Sequence, residues 1–170
     1  DTATTEIYTI KYTLSLHDSL PIWFATTIVD QSNISTTSSA VSGLVANTPY
    51  YWHVSAANSG GSSLYSGAWS FTTVAPPAAP VLATPASGAT GVATNPTLTW
   101  NASVGATTYH LQVSTDPGFA TTIVDQNNVS TTSSAVSGLA GNALYYWHVS
   151  AANSGGSSLY SGAWSFTTGA

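Results

Sequence analysis

Tyr145-Tyr146-Trp147-His148-Val149-Ser150-Ala151 alternates large apolar residues with polar or smaller ones, and Asn153-Ser154-Gly155-Gly156 follows after one further alanine. On a pleated strand successive side chains point to opposite faces, so Tyr145, Trp147, Val149 and Ala151 share one side while Tyr146, His148 and Ser150 share the other. Asn and Gly tolerate positive φ, and the segment therefore reads as a strand entering a tight hairpin. Upstream, Tyr109, Leu111 and Val113 alternate with His110, Gln112 and Ser114, and Leu98 and Trp100 alternate with Thr97, Thr99 and Asn101. Trp164 and Phe166 carry a final strand. Residues 121–126 and 129–136 read as weaker Thr/Ser-rich strands, with Asp116-Pro117-Gly118 as a turn before them. Residues 81–84 read as a short first strand, ended by Pro85 and a turn-rich segment over 86–95. No segment keeps a helical period over several turns. Seven short strands in about ninety residues predict an all-β, antiparallel sandwich.

The same strand pattern occurs twice. Residues 24–73 return as 119–168, each residue 95 positions further on, with only Ser32/Asn127, Ile34/Val129, Val45/Ala140, Ala46/Gly141, Thr48/Ala143 and Pro49/Leu144 changed. That spacing equals one sandwich domain plus a short connector, which the Pro76, Pro77 and Pro80 run supplies, because proline cannot donate to a central strand. The expected division is a partial domain over residues 23–73, a Pro/Ala linker over 74–80 and a complete domain over 81–168. Duplication of a module extends a structure or multiplies a weak contact, whereas an enzyme builds one site on one scaffold.

The second copy is preceded by a segment, residues 80–118, for which the first copy has no counterpart. In its place stands Asp1 to Ile22, which resembles the conceptual translation of a common sequencing adapter; Ser19, where the adapter would encode alanine, is the one departure. These residues are expected to be foreign to the native protein, with Trp23 at the junction. Since Tyr12-x-Leu14-x-Leu16 echoes Tyr109-x-Leu111-x-Val113, the foreign segment is expected to pair as a counterfeit third strand, with Tyr12 in the place of Tyr109.

Lys11 is the only Lys or Arg in the chain, and past residue 22 the acids reduce to Asp30, Asp116 and Asp125. Nucleic acids and anionic membranes attract basic clusters, so neither nucleic-acid binding nor direct membrane contact is expected. The chain has no cysteine, which excludes disulfides and thiolate metal sites.

Leu98 and Trp100, the Tyr109-x-Leu111-x-Val113 strand, and Leu139 followed by Tyr145-x-Trp147-x-Val149-x-Ala151 together resemble the fibronectin type III family in its bacterial extracellular form. The resemblance covers residues 80–168 fully and 24–73 in part. It implies an immunoglobulin-like sandwich, and it implies that Tyr145, paired with Leu139, forms the family's tyrosine corner, the phenol bonding back to the backbone of the preceding loop. Leu44 and Tyr50 match that pair in the first copy. The integrin-binding Arg-Gly-Asp of some family members is not implied, since residues 153–158 contain no arginine.

Leu98, Trp100, Tyr109, Leu111, Val113, Leu139, Tyr145, Trp147, Val149, Trp164 and Phe166 are the expected core. One large aromatic removes roughly 150–250 Å² from water, about 4–6 kcal/mol gross at roughly 25 cal/mol/Å². Three tryptophans thus match a domain's whole net stability of about 5–15 kcal/mol, and a small sandwich needs them inside. Tyr51, Tyr65, Tyr146 and Tyr160 fall on the polar phase or near loops and are the candidates for a weak contact surface. His53 and His148 occupy equivalent places on different domains. His110 and His148 read as solvated strand-face residues without a nearby carboxylate, a poor metal site. No nucleophile elbow or calcium-loop spacing is present, so no catalytic residue, metal or cofactor is expected. The sequons at Asn33, Asn101 and Asn128 carry no weight in a chain so rich in Asn, Ser and Thr.

The expected role is a non-catalytic spacer or adhesion module, read as a metagenomic fragment of a larger repetitive bacterial surface or secreted protein. Its expected partners are neighbouring domains of the same chain and possible glycans or cell-surface proteins, and its expected location is extracellular or at the cell surface. The alternative is a carbohydrate-binding accessory module of a secreted glycoside hydrolase.

Overall fold

The computed structural model describes residues 9–15, by their backbone, and residues 27–170. The chain divides into two compact units, Asp1–Val74 and Ala75–Ala170. Every regular element among the described residues is a β-strand.

The first unit holds β1 (Thr9–Ser15), β2 (Thr27–Ile34), β3 (Pro49–Asn58), β4 (Gly61–Ser62) and β5 (Trp69–Thr72) in one sheet of order β2-β1-β3-β4, with β5 on β3. The second unit holds β6 (Leu82–Thr84), β7 (Ala89–Val92), β8 (Thr97–Trp100), β9 (Thr108–Ser114), β10 (Val124–Val129), β11 (Ser133–Ala135), β12 (Leu144–Asn153), β13 (Gly156–Ser157) and β14 (Trp164–Thr168). There two sheets face each other: β10-β9-β12-β14-β7, with β13 on β12, and β11-β8-β6.

Alternation builds the core of the second unit. Along β9 and the first part of β12 every second residue is buried, which places Tyr109, Leu111, Val113, Tyr145, Trp147, Val149 and Ala151 against Leu82, Leu98 and Trp100 of the smaller sheet. Trp164 is only partly buried and packs edge-on against Trp147. The indole N–H groups of Trp100 and Trp147 lie buried with no hydrogen-bond acceptor among the described residues. Each such group costs about 1–3 kcal/mol, less than the roughly 4–6 kcal/mol gross that burying the ring contributes. Tyr145 Oη accepts a hydrogen bond from the Ala140 amide at 2.9 Å, and Tyr50 Oη one from the Val45 amide at 2.8 Å, so both copies close the same corner.

Residues 86–95 are not all turn, as the sequence suggested. Ala89–Val92 forms β7, paired parallel to β14 through Phe166↔Ala89 and Thr168↔Val92. Gly88 and Gly91, at φ +80° and +67°, mimic turn chemistry locally while a partner far along the chain holds the strand. The Pro/Ala stretch packs on the second unit: Pro77 and Pro80 are buried, and Asn153 Nδ2 donates to the Ala75 carbonyl at 2.9 Å.

β1 occupies the position in its sheet that β9 holds in the second unit, between β2 and β3. Its register differs from the expectation. Ile10 pairs with Ala56, Tyr12 with Val54 and Leu14 with Trp52, whereas Tyr109 pairs with Ala151, Leu111 with Val149 and Val113 with Trp147. Ile10, not Tyr12, therefore stands where Tyr109 stands. A slip of two residues preserves which face each residue belongs to, so an alternating pattern alone cannot choose between the two registers. The expectation that residues 1–22 are foreign otherwise lies outside the described residues.

Identical sequence meets two environments. Phe166 is fully buried, but Phe71, its counterpart, is 41% exposed, and Trp69 is 68% exposed. The strand pairings are the same in both copies: Tyr50↔Phe71 and Trp52↔Trp69 repeat Tyr145↔Phe166 and Trp147↔Trp164. What differs is the second layer. Among the described residues, no sheet covers the first unit as β11-β8-β6 covers the second.

Candidate functional site

The outer face of the larger sheet of the second unit gathers the remaining polar and aromatic side chains. Pairing of β9 with β12 sets His148 opposite Gln112 and Ser150 opposite His110, and pairing of β10 with β9 sets Asp125 opposite Gln112. Three neighbouring strands thereby bring His110, Gln112, Asp125 and His148 onto one patch.

The hydrogen bonds run in one consistent sense. Gln112 Nε2 donates to Asp125 Oδ2 at 3.2 Å, which leaves Gln112 Oε1 to accept from His148 Nε2–H at 2.9 Å. His110 donates through Nε2 to Asp125 Oδ1, so its Nδ1 accepts the Tyr160 hydroxyl at 2.7 Å. The reading of His110 as lacking a nearby carboxylate is thus corrected: the β10 register supplies Asp125, which strand spacing alone could not reveal. The His110 hydrogen bond holds the Asp125 carboxyl below its usual range. Burial raises the Tyr160 phenol, and the Asp125 charge adds to this.

Three rings lie in a stack over this network. His148 is sandwiched between Phe119, centroids 3.6 Å apart at 7°, and Tyr160, 3.8 Å apart at 13°. Phe119 reaches that place because the Asp116-Pro117-Gly118 turn aims it. The Asp116 carboxylate accepts the Gly118 and Ala120 amides at 3.1 and 2.9 Å, and Phe119 itself sits at φ +54°, a conformation uncommon outside glycine and asparagine. Those two amide bonds lower the Asp116 carboxyl. In the first copy His53 stacks on Tyr65 at 3.9 Å, as His148 stacks on Tyr160. The register positions of His110 and Gln112 are there taken by Lys11 and Thr13.

Of the four candidate contact tyrosines, Tyr160 is half-buried, with one ring face against His148 and its hydroxyl bound to His110. Tyr65 is 43% exposed and stacked on His53. Tyr51 and Tyr146 are half-buried on their strands. Tyr146 is flanked across the sheet by Ser114 and Ser165, with no aromatic ring stacked on it among the described residues. Phe119 was missed by sequence reasoning; the Asp-Pro-Gly turn immediately before it was the available signal.

Burial, followed by the charge of His110, pushes His148 down to about 4. Its ordinary value is 6.5, so the unfolded chain takes up the proton first. The His148 contribution to stability is therefore complete above about pH 6.5, declines as the pH falls toward 4, and declines no further below that. The His148 ring resonances should titrate with a midpoint near 4, and thermal stability should fall between pH 6.5 and 4 in the wild type but not through this group in His148→Phe. A midpoint at the ordinary value would refute the packed stack.

No group of three metal-ligating side chains occurs among the described residues, and no described helix is long and apolar enough to cross a membrane. No protein-family model matches the chain, and no curated protein matches it. Solved structures do. The FN1–FN3 domains of chicken CNTN1 superpose with TM-score 0.60 at 16% identity, over 96% of this chain and 57% of that one; the chain thus spans little more than half of that structure's length. An Fn3-like protein from Clostridium thermocellum shares 31% identity over 56% of this chain and 97% of that one, TM-score 0.45. An alpha-L-rhamnosidase from Dictyoglumus thermophilum shares 19% identity over 49% of this chain and 11% of that one, TM-score 0.41. All-β architecture, antiparallel pairing and the superposition on CNTN1 agree: this chain has the immunoglobulin-like β-sandwich fold of fibronectin type III domains.

Proposed function

We propose that the chain is a non-catalytic spacer and adhesion module from a repetitive extracellular protein, with residues 1–22 foreign to it and residues 23–73 the closing part of one repeat. The observation that carries this reading is the duplication itself: six changes in fifty positions, with the loops kept along with the core. Repeated identical surfaces raise the effective concentration of a weak contact without any new chemistry. The packing supports the same reading. Trp100 and Trp147 are buried, and the polar face of the second unit is tied into a closed network of stacked rings and hydrogen bonds.

A second reading rests on Tyr146. It is half-buried with small serines as its cross-strand neighbours, whereas the Tyr160 ring is already stacked on His148, which favours a carbohydrate-binding accessory role at Tyr146 over Tyr160. Retention of the purified chain on immobilised polysaccharides separates the two. The spacer reading expects passage without retention. Retention that disappears in Tyr146→Ala, with the thermal midpoint unchanged, would replace it with the accessory-module reading.

A further inference from the structure

The polar patch of the second unit places a phenol, an imidazole and a carboxylate in one hydrogen-bonded line. We propose that Tyr160 is a redox-active tyrosine: a one-electron oxidant takes an electron from its ring while the phenolic proton passes to His110, leaving a phenoxyl radical beside an imidazolium held by Asp125.

The hydrogen bonds set the direction of that transfer. His110 Nε2–H is committed to Asp125 Oδ1, so the Nδ1 lone pair faces the Tyr160 hydroxyl at 2.7 Å. A base within about 2.6–3.2 Å of the proton it takes is placed for transfer. In the step the phenolic O–H bond breaks, an N–H bond forms at Nδ1, and the electron reduces an outer-sphere acceptor, such as a photo-oxidised metal complex, by one equivalent. Asp125 then faces a full positive charge on the ring it holds, which favours the product. When an electron returns, the proton goes back to the phenol oxygen.

The base is needed because the phenol stays protonated beforehand. Burial, followed by the Asp125 charge, raises the Tyr160 phenol, so proton and electron leave together. Other phenols are used differently. Tyr50, Tyr109 and Tyr145 are buried, and their oxygens accept the amides of Val45, Ser103 and Ala140. Among the described residues, Tyr160 alone offers its hydroxyl proton to a histidine nitrogen. Its ring is half-buried, which lets an oxidant approach. The first copy supplies a control. Tyr65 has the same sequence neighbours and stacks on His53, but Lys11 stands at the register position of His110, and an ammonium group accepts no proton. This inference does not depend on the proposed spacer role.

The test photo-oxidises the full chain at neutral pH with a tris(bipyridine)ruthenium(III) complex, at less than one equivalent per chain. Transient absorption and electron paramagnetic resonance follow the phenoxyl radical. A fast phase is expected that Tyr160→Phe abolishes and Tyr65→Phe leaves intact. His110→Gln keeps a hydrogen-bonding side chain without a basic nitrogen and should slow that phase at least tenfold, since a positioned base commonly contributes about a hundredfold or more. Asp125→Asn should slow it by a smaller factor. The wild-type rate should also be lower in deuterated water, a readout that needs no substitution and so does not depend on how any variant folds. Equal rates in the two solvents overturn the proposal, as does a fast phase unchanged in folded His110→Gln, or radical formed equally at Tyr65 and Tyr160.

Discussion

Replacing Trp147 by alanine is expected to remove about 3–5 kcal/mol from the second unit, while the same change at Trp52 removes less than half as much. The two residues share their sequence neighbours from residue 50 to 73 and from 145 to 168, their strand partners and a tryptophan opposite them, at 6.2 Å in the second unit and 6.0 Å in the first. They differ in what lies above the ring. Trp147 is fully buried beneath the small sheet, so truncation leaves a cavity that a packed core fills only in part. Trp52 is only half-buried, so its truncation removes less buried apolar surface. For a domain of this size the larger loss corresponds to a fall in midpoint of at least about 12 °C, against a net stability of about 5–15 kcal/mol. Thermal and urea melts of the two variants, each scored against the wild-type major transition, provide the measurement. Equal destabilisation would mean that Trp52 is as enclosed as its twin.

What could be read from the sequence was what repeats at short range. The period of two along residues 145–151 follows from burial of one strand face, and it locates β12 and β9 and their inward residues. The tyrosine corner depends on a phenol and an amide five residues apart, a local relation. β7 and the polar patch were hidden for a common reason. Ala89–Val92 has little strand character of its own and is held by β14. His110 meets Asp125 only because β10 aligns with β9 in one register, and that register passes through a bulge between Gln126 and Val129. Asn128, at φ +58°, makes this bulge; asparagine tolerates the left-handed region better than most residues. The residue that satisfied a glycosylation pattern is thus accounted for by backbone geometry. The Phe119 stack combines both kinds of information, a local turn that aims the ring and a distant strand that receives it. Alternation identifies a face but not a register, and β1 shows the consequence: Ile10 stands at the place that pattern matching assigned to Tyr12.

Amide exchange should separate the two copies by roughly a thousandfold or more, in keeping with a difference of a few kcal/mol in the openings that expose them. Intrinsic exchange rates depend on local sequence, and residues 50–73 match 145–168 without a single change. The ratio of observed rates at paired sites therefore reads protection directly, with no correction between them. In the second unit β12 lies between β9 and β14 under a full layer of core, and its amides should open only with the whole domain. In the first unit β3 has the same partners on β5, and β1 on its other side, but its inward residues are only partly buried. Hydrogen bonds of that sheet then lie within reach of solvent, and the hydrophobic term that makes opening costly is reduced in proportion to the apolar area left wet. Tyr50 is the exception, 1% exposed and tied to the Val45 amide, so the slowest amides of the first copy should cluster at that corner. Equal protection at the equivalents of Trp52 and Trp147 would show that the first copy has acquired a second layer, and that residues 27–74 fold as completely as their twin.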